Sequence, residues 1–171
     1  MNLSLERHLN ALMALIISGV LWGALGIQFF GHEEPCPLCL LQRLGMMAVA
    51  SGALMNVKFG IRRLYYGLSL LSAVFGGFVA SRHFLLHVCP GFPTFGKPVW
   101  GLSLYTWSFL VFACSVVYIA FLFLFFNHNE KEKVIPITWF GHLSFILVFL
   151  AALTNIFATL WLCGFGPCES T

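Results

Sequence analysis

Five apolar runs divide this chain, each long enough to cross a hydrocarbon layer, and they exclude most soluble folds. A layer of about 30 Å takes roughly 20 helical residues at a rise of about 1.5 Å each. The runs lie at about Leu9–Phe30, Cys36–Asn56, Leu64–His87, Leu102–Phe126 and Ile135–Leu162. In lipid the backbone must satisfy its own hydrogen bonds, so each run reads as a helix. Short connections make neighbouring helices antiparallel. The expected fold class is therefore an all-α membrane protein: a four-helix transmembrane bundle plus a fifth transmembrane helix, in one membrane domain over residues 1–171. Only 9% of the residues are charged, against roughly 25% in soluble domains. The basic residues behind the net charge of +3 are sparse and scattered, which argues against a nucleic-acid partner. The first run is longer than a signal-peptide core and has no A-x-A cleavage site, so it reads as an uncleaved span.

Lysine and arginine set the expected orientation. With the N-terminus in the cytoplasm, the inner segments hold Arg7, Lys58, Arg62, Arg63, Lys131 and Lys133, and the outer segments hold Lys97. The positive-inside rule then places the C-terminus on the outer side of the membrane. The same topology puts Cys36 and Cys39 in the first outer segment, Cys89 in the second, and Cys163 and Cys168 in the outer tail. Cys114 falls mid-span and reads as a small buried hydrophobe. An outer thiol cluster on the oxidising side fits structural disulfides, a metal site or a redox relay.

The segment Pro35-Cys36-Pro37-Leu38-Cys39-Leu40-Leu41-Gln42-Arg43 favours the relay. Proline at position 37 suits a first helical turn. Two thiols at a helix N-terminus gain thiolate character from the helix dipole. Cys36, Cys39 and Arg43 stand at i, i+3 and i+7, on one helical face. An arginine at membrane depth is costly and usually functional, although a snorkelling arginine at the interface has the same spacing. Its guanidinium is permanently charged and can stabilise a thiolate or a reduced quinone oxygen.

This segment resembles the signature of the disulfide bond formation protein B family, DsbB. Ser81-Arg82-His83-Phe84-Leu85-Leu86-His87 and Gly101-Leu102-Ser103-Leu104-Tyr105-Thr106-Trp107 agree with it, over about the first 126 residues. The resemblance implies a quinone-dependent protein-disulfide oxidoreductase. Such an enzyme reoxidises a periplasmic DsbA-like thioredoxin-fold protein and reduces ubiquinone or menaquinone. It further implies Cys39 as the thiolate facing the quinone, Cys36 as its disulfide partner, and Arg43 and His83 as quinone-binding residues. His87 reads instead as a polar residue at the membrane interface.

Two departures stand out against that family. The second outer loop, about Val88–Gly101, is short and carries only Cys89 where the family has two cysteines. The fifth run delivers Cys163 and Cys168 to the same side, so a shuttle disulfide can join Cys89 to Cys163 or Cys168; a local Cys163–Cys168 bridge is the other choice. Three competing readings come with these features. They are a vitamin K epoxide reductase-like oxidoreductase, a zinc- or haem-holding module, and a scaffold with disulfide staples only.

Overall fold

The computed structural model describes residues 3–31, 36–88, 99–125 and 137–164. These form five helices: α1 (Leu3–Gly31), α2 (Pro37–Phe59), α3 (Arg63–Val88), α4 (Leu104–Leu124) and α5 (Trp139–Cys163). All five are long and apolar enough to cross a membrane, as the hydropathy pattern requires. The helix starts have local causes. Pro37 fixes φ at the first position of α2, and Cys36 caps it with an extended backbone (φ −68°, ψ 157°). Before α4 the chain turns through Trp100 (φ 51°) and Gly101 (φ 79°), closed by Val99–Leu102 backbone hydrogen bonds of 2.9 and 3.1 Å.

One boundary differs in an informative way: α1 starts at Leu3, not near Leu9. Glu6, Arg7 and Asn10 break the apolar pattern without breaking the helix, because their polar groups bond to the bundle. Tyr66 Oη donates to Glu6 Oε1 at 2.9 Å, and Asn10 Nδ2 donates to Tyr66 Oη at 2.8 Å. Asn56 Nδ2 donates to Asn10 Oδ1 at 3.2 Å, and Arg7 Nε to Val57 O at 3.1 Å.

Helix α2 is central, packed against α1, α3 and α5 and touching α4; α3 also packs on α4, and α1 on α5. Small residues let these axes approach closely, as membrane bundles require. A methyl group at Gly52 would collide with Ser69 Oγ, and one at Gly76 with the Phe112 ring. The contacts just described join the start of α1 to the end of α2 and the start of α3. The start of α2, by contrast, meets the late parts of α1, α3 and α5. Helices consecutive in the chain therefore alternate in direction, which leaves α1 and α5 parallel, with Cys36 at one end, here called the thiol end.

The outward surface is apolar, with Leu71, Phe78, Val117 and Phe157 exposed. Cys114 is exposed as well, which corrects the expectation that it packs inside. In a membrane the outer face of a helix is itself an apolar medium, so a small hydrophobe gains little by turning inward.

Candidate functional site

The cap of α2 brings the first two thiols together. As N-cap, Cys36 turns its sulfur back over the first turn and accepts the Cys39 backbone N–H at 3.2 Å. The two Sγ atoms lie 2.7 Å apart. The pair is placed for a disulfide between residues 36 and 39. Both cysteines are half-buried.

His83, near the end of α3, completes this cluster. It is buried, with Nε2 3.9 Å from Cys36 Sγ. Gln42 Nε2 donates to His83 Nδ1 at 3.2 Å. With Nδ1 accepting, Nε2 carries the proton of the neutral ring and presents it to the sulfur. The His83 ring also lies against Tyr105 of α4, with centroids 5.0 Å apart.

These donors favour charge on Cys36. The hydrogen bond from the Cys39 thiol lowers its pKa most; burial opposes this, and the bonds from His83 and the Cys39 backbone N–H add to the lowering. The net result is a thiol held down at about 4. Cys36 sits just outside the apolar segment of α2 that is long enough to cross a membrane.

Arg43 lies two turns along the same helix and does not snorkel outward. Its Nη1 donates to Gln28 Oε1 of α1 at 2.6 Å and to Asn155 Oδ1 of α5 at 3.4 Å; its Nη2 donates to Ala24 O at 3.2 Å. Among the described residues it has no carboxylate partner. Beside it opens a cavity of about 450 Å³ whose polar wall is Cys39, Gln42, Arg43 and His83. The remaining wall is largely apolar, from Ile27 of α1 and Met46 of α2 to Trp107 and Val111 of α4. Cys36 and Cys39 thus stand between the thiol end and an apolar chamber with an arginine in its wall.

The structure brings together Cys36, Cys39, Arg43 and His83. Cys89 and Cys168 lie outside the described residues. Cys163 is the last residue of α5, and its side chain is not among those described; nor is that of His87. The sequence reading missed Gln42, Gln28, Asn155 and Tyr105. Polar residues at membrane depth are rare enough that Gln28 and Asn155 were detectable in principle, but hydropathy does not tell which helix faces them.

The family profile described as "Disulfide bond formation protein DsbB" matches residues 6–94. The chain belongs to the DsbB family. A relative from Burkholderia thailandensis, named Disulfide bond formation protein B, is 30% identical over 154 residues, covering 70% of this chain and 90% of that protein. A second with that name, from Burkholderia pseudomallei, is 38% identical over 96 residues, or 54% of this chain and 56% of that protein. A third, from Chromobacterium violaceum, is 38% identical over 85 residues, or 44% and 51%. The chain thus spans little more than half the length of two of these relatives. No solved structure matches it. The five spans and the DsbB match together make it a multi-pass membrane protein of a disulfide bond formation family. The match contains Cys36, Cys39, Gln42, Arg43 and His83; α4 and α5 lie beyond it.

Proposed function

We propose that this protein is a thiol:quinone oxidoreductase of a bacterial inner membrane, reoxidising a periplasmic DsbA-like thioredoxin-fold protein through Cys36–Cys39 and passing the electrons to ubiquinone or menaquinone. The observation that carries this reading is the position of the pair: Cys36 at the thiol end, Cys39 and Arg43 in the wall of a roughly 450 Å³ apolar cavity. That volume lies within the range of about 300–1,000 Å³ common for small-molecule sites. A quinone head needs an apolar slot with donors at its carbonyl oxygens; Arg43 is the donor in this reading, while His83 lines the same cavity and turns its N–H to Cys36. When bound, the quinone supplies an acceptor for two electrons and two protons.

The chain's own part divides between the two sulfurs. A donor thiolate attacks Cys36 Sγ in the oxidised pair; the Cys36–Cys39 bond breaks and Cys39 leaves as thiolate. A second donor thiolate attacks the mixed disulfide at the donor's own sulfur, which releases the oxidised donor and leaves Cys36 and Cys39 reduced. Arg43 offsets charge on Cys39 at membrane depth. The Nε2–H of His83 stabilises charge on Cys36. Re-forming the Cys36–Cys39 bond yields the two electrons, and the two thiol protons balance them. In this reading Cys89 pairs with Cys163 or Cys168 as the shuttle that meets the partner first, and the shuttle's reduced thiols are the donor that attacks Cys36. The N-terminus is cytoplasmic, the C-terminus periplasmic, and the chain acts as a single domain.

A metal-holding reading has one observation in its favour: Cys36, Cys39 and His83 place three ligand atoms within 4.8 Å of one another. The surroundings favour the redox reading: the pair adjoins an apolar cavity with the cation of Arg43 in its wall, which a divalent metal would not favour.

The test is quinone reduction by the purified protein with a reduced thioredoxin-like donor. Cys36→Ala and Cys39→Ala are each expected to abolish it. Substantial activity in either variant refutes the assignment.

A further inference from the structure

We propose that Asn155 of α5 is a positioning residue for Arg43, which makes the fifth helix part of the quinone site. This inference rests on the function proposed above. Asn155 is buried (5% exposed) in a helix made mostly of apolar residues. Its amide is pinned at both ends: Nδ2 donates to Ala151 O at 2.8 Å, and Oδ1 accepts from Arg43 Nη1 at 3.4 Å. A buried amide in a membrane span is costly unless both ends are satisfied, and here the second partner is the site arginine. Helix α5 is held to α1 nearby, where Trp22 Nε1 donates to Leu147 O at 3.3 Å.

The kind of acceptor matters as much as the contact. Gln28 Oε1, Ala24 O and Asn155 Oδ1 are all neutral. Neutral acceptors orient a guanidinium without cancelling its charge, whereas a carboxylate in the same place would cancel it. Among the described residues, three of the five N–H groups anchor the side chain, which leaves two unused by those anchors beside the cavity that Arg43 lines. Asn155 therefore aims Arg43 and leaves its charge available there. Residue 155 lies outside the segment that matches the family, so the DsbB motifs do not predict this role.

The test uses the full chain in detergent with both Cys36 and Cys39 changed to Ser, so that no turnover occurs. Binding of a short-chain ubiquinone is read from quenching of tryptophan fluorescence, since Trp100 and Trp107 line the cavity. Asn155→Ala is expected to weaken binding about three- to tenfold, the scale of one lost hydrogen bond. Asn155→Asp keeps the side-chain shape and decides the matter if the alanine variant does not fold. Its carboxylate should draw the guanidinium away from the cavity, weakening binding at neutral pH, with recovery as acid neutralises the new carboxyl. Ser144→Ala, a buried change elsewhere on α5, should bind like the parent. An Asn155→Asp affinity within twofold of the parent from about pH 5 to 9 overturns the proposal. A parent that binds no quinone instead removes the quinone reading itself.

Discussion

Gln42 Nε2 donates to His83 Nδ1 at 3.2 Å, and this bond determines which imidazole nitrogen faces Cys36. The other nitrogen, Nε2, then holds its proton toward a sulfur 3.9 Å away. Gln42→Leu frees the tautomer. It is expected to raise the Cys36 pKa by about one unit, near 1.4 kcal/mol of lost stabilisation of the thiolate. Alkylation of Cys36 followed against pH checks this. An unchanged profile would remove His83 from the electrostatics of the pair.

The depressed Cys36 pKa, about 4, has a definite pH signature. A thiol lowered on folding stabilises the reduced protein above its ordinary pKa of about 8.5, and that contribution disappears as pH falls through the folded value. The alkylation rate of reduced Cys36 should therefore stay nearly flat down to about pH 5 and fall only below that. The Cys39 thiol is the largest cause of the lowering, so Cys39→Ala should move the fall toward neutral pH.

Arg43 depends on geometry as well as charge. Lysine keeps the charge but cannot donate simultaneously to Gln28, Ala24 O and Asn155. Arg43→Lys is expected to lower quinone-dependent turnover about tenfold, and Arg43→Met more, with Cys36 still alkylated by iodoacetamide. Steady-state rates beside thiol labelling separate the two effects. Equal rates for Arg43→Lys and the parent would show that the charge alone suffices.

At the opposite end, Tyr66→Phe removes the donor to Glu6 and the acceptor for Asn10. Each hydrogen bond lost from a buried group costs about 0.5–1.5 kcal/mol. The variant should melt at a lower temperature while the reactivity of Cys36 stays unchanged, because the network lies a full helix length from the thiols. Thermal melts in detergent, followed by alkylation, test both halves.

Much of this architecture was legible in the sequence, because lipid imposes one strong rule on every span. Five apolar runs became five helices, and Pro37 marked the start of α2. The Cys36, Cys39 and Arg43 spacing placed the last two on the cavity wall. What escaped was contact between helices. Nothing in one sequence says that Gln28, Gln42 and Asn155 point at Arg43 or His83, since hydropathy fixes depth in the membrane but not rotation about the helix axis. Cys114 was misplaced for a related reason: burial in lipid and burial in protein look alike in composition. The start of α1 was missed because Glu6 and Arg7 interrupt the apolar run, although the partners that hold this turn in the bundle, Tyr66 and Val57, are far away in sequence.

The central claim is that Cys36 and Cys39 exchange electrons with a quinone, and a single-turnover experiment tests it most directly. Fully reduced protein, with Cys89, Cys163 and Cys168 changed to Ser so that no other thiol pair can take over the disulfide, receives one equivalent of quinone without oxygen, and its disulfides are then mapped by peptide mass. The account predicts one Cys36–Cys39 disulfide for each quinone reduced. Quinone reduced while both of these cysteines remain thiols would contradict it.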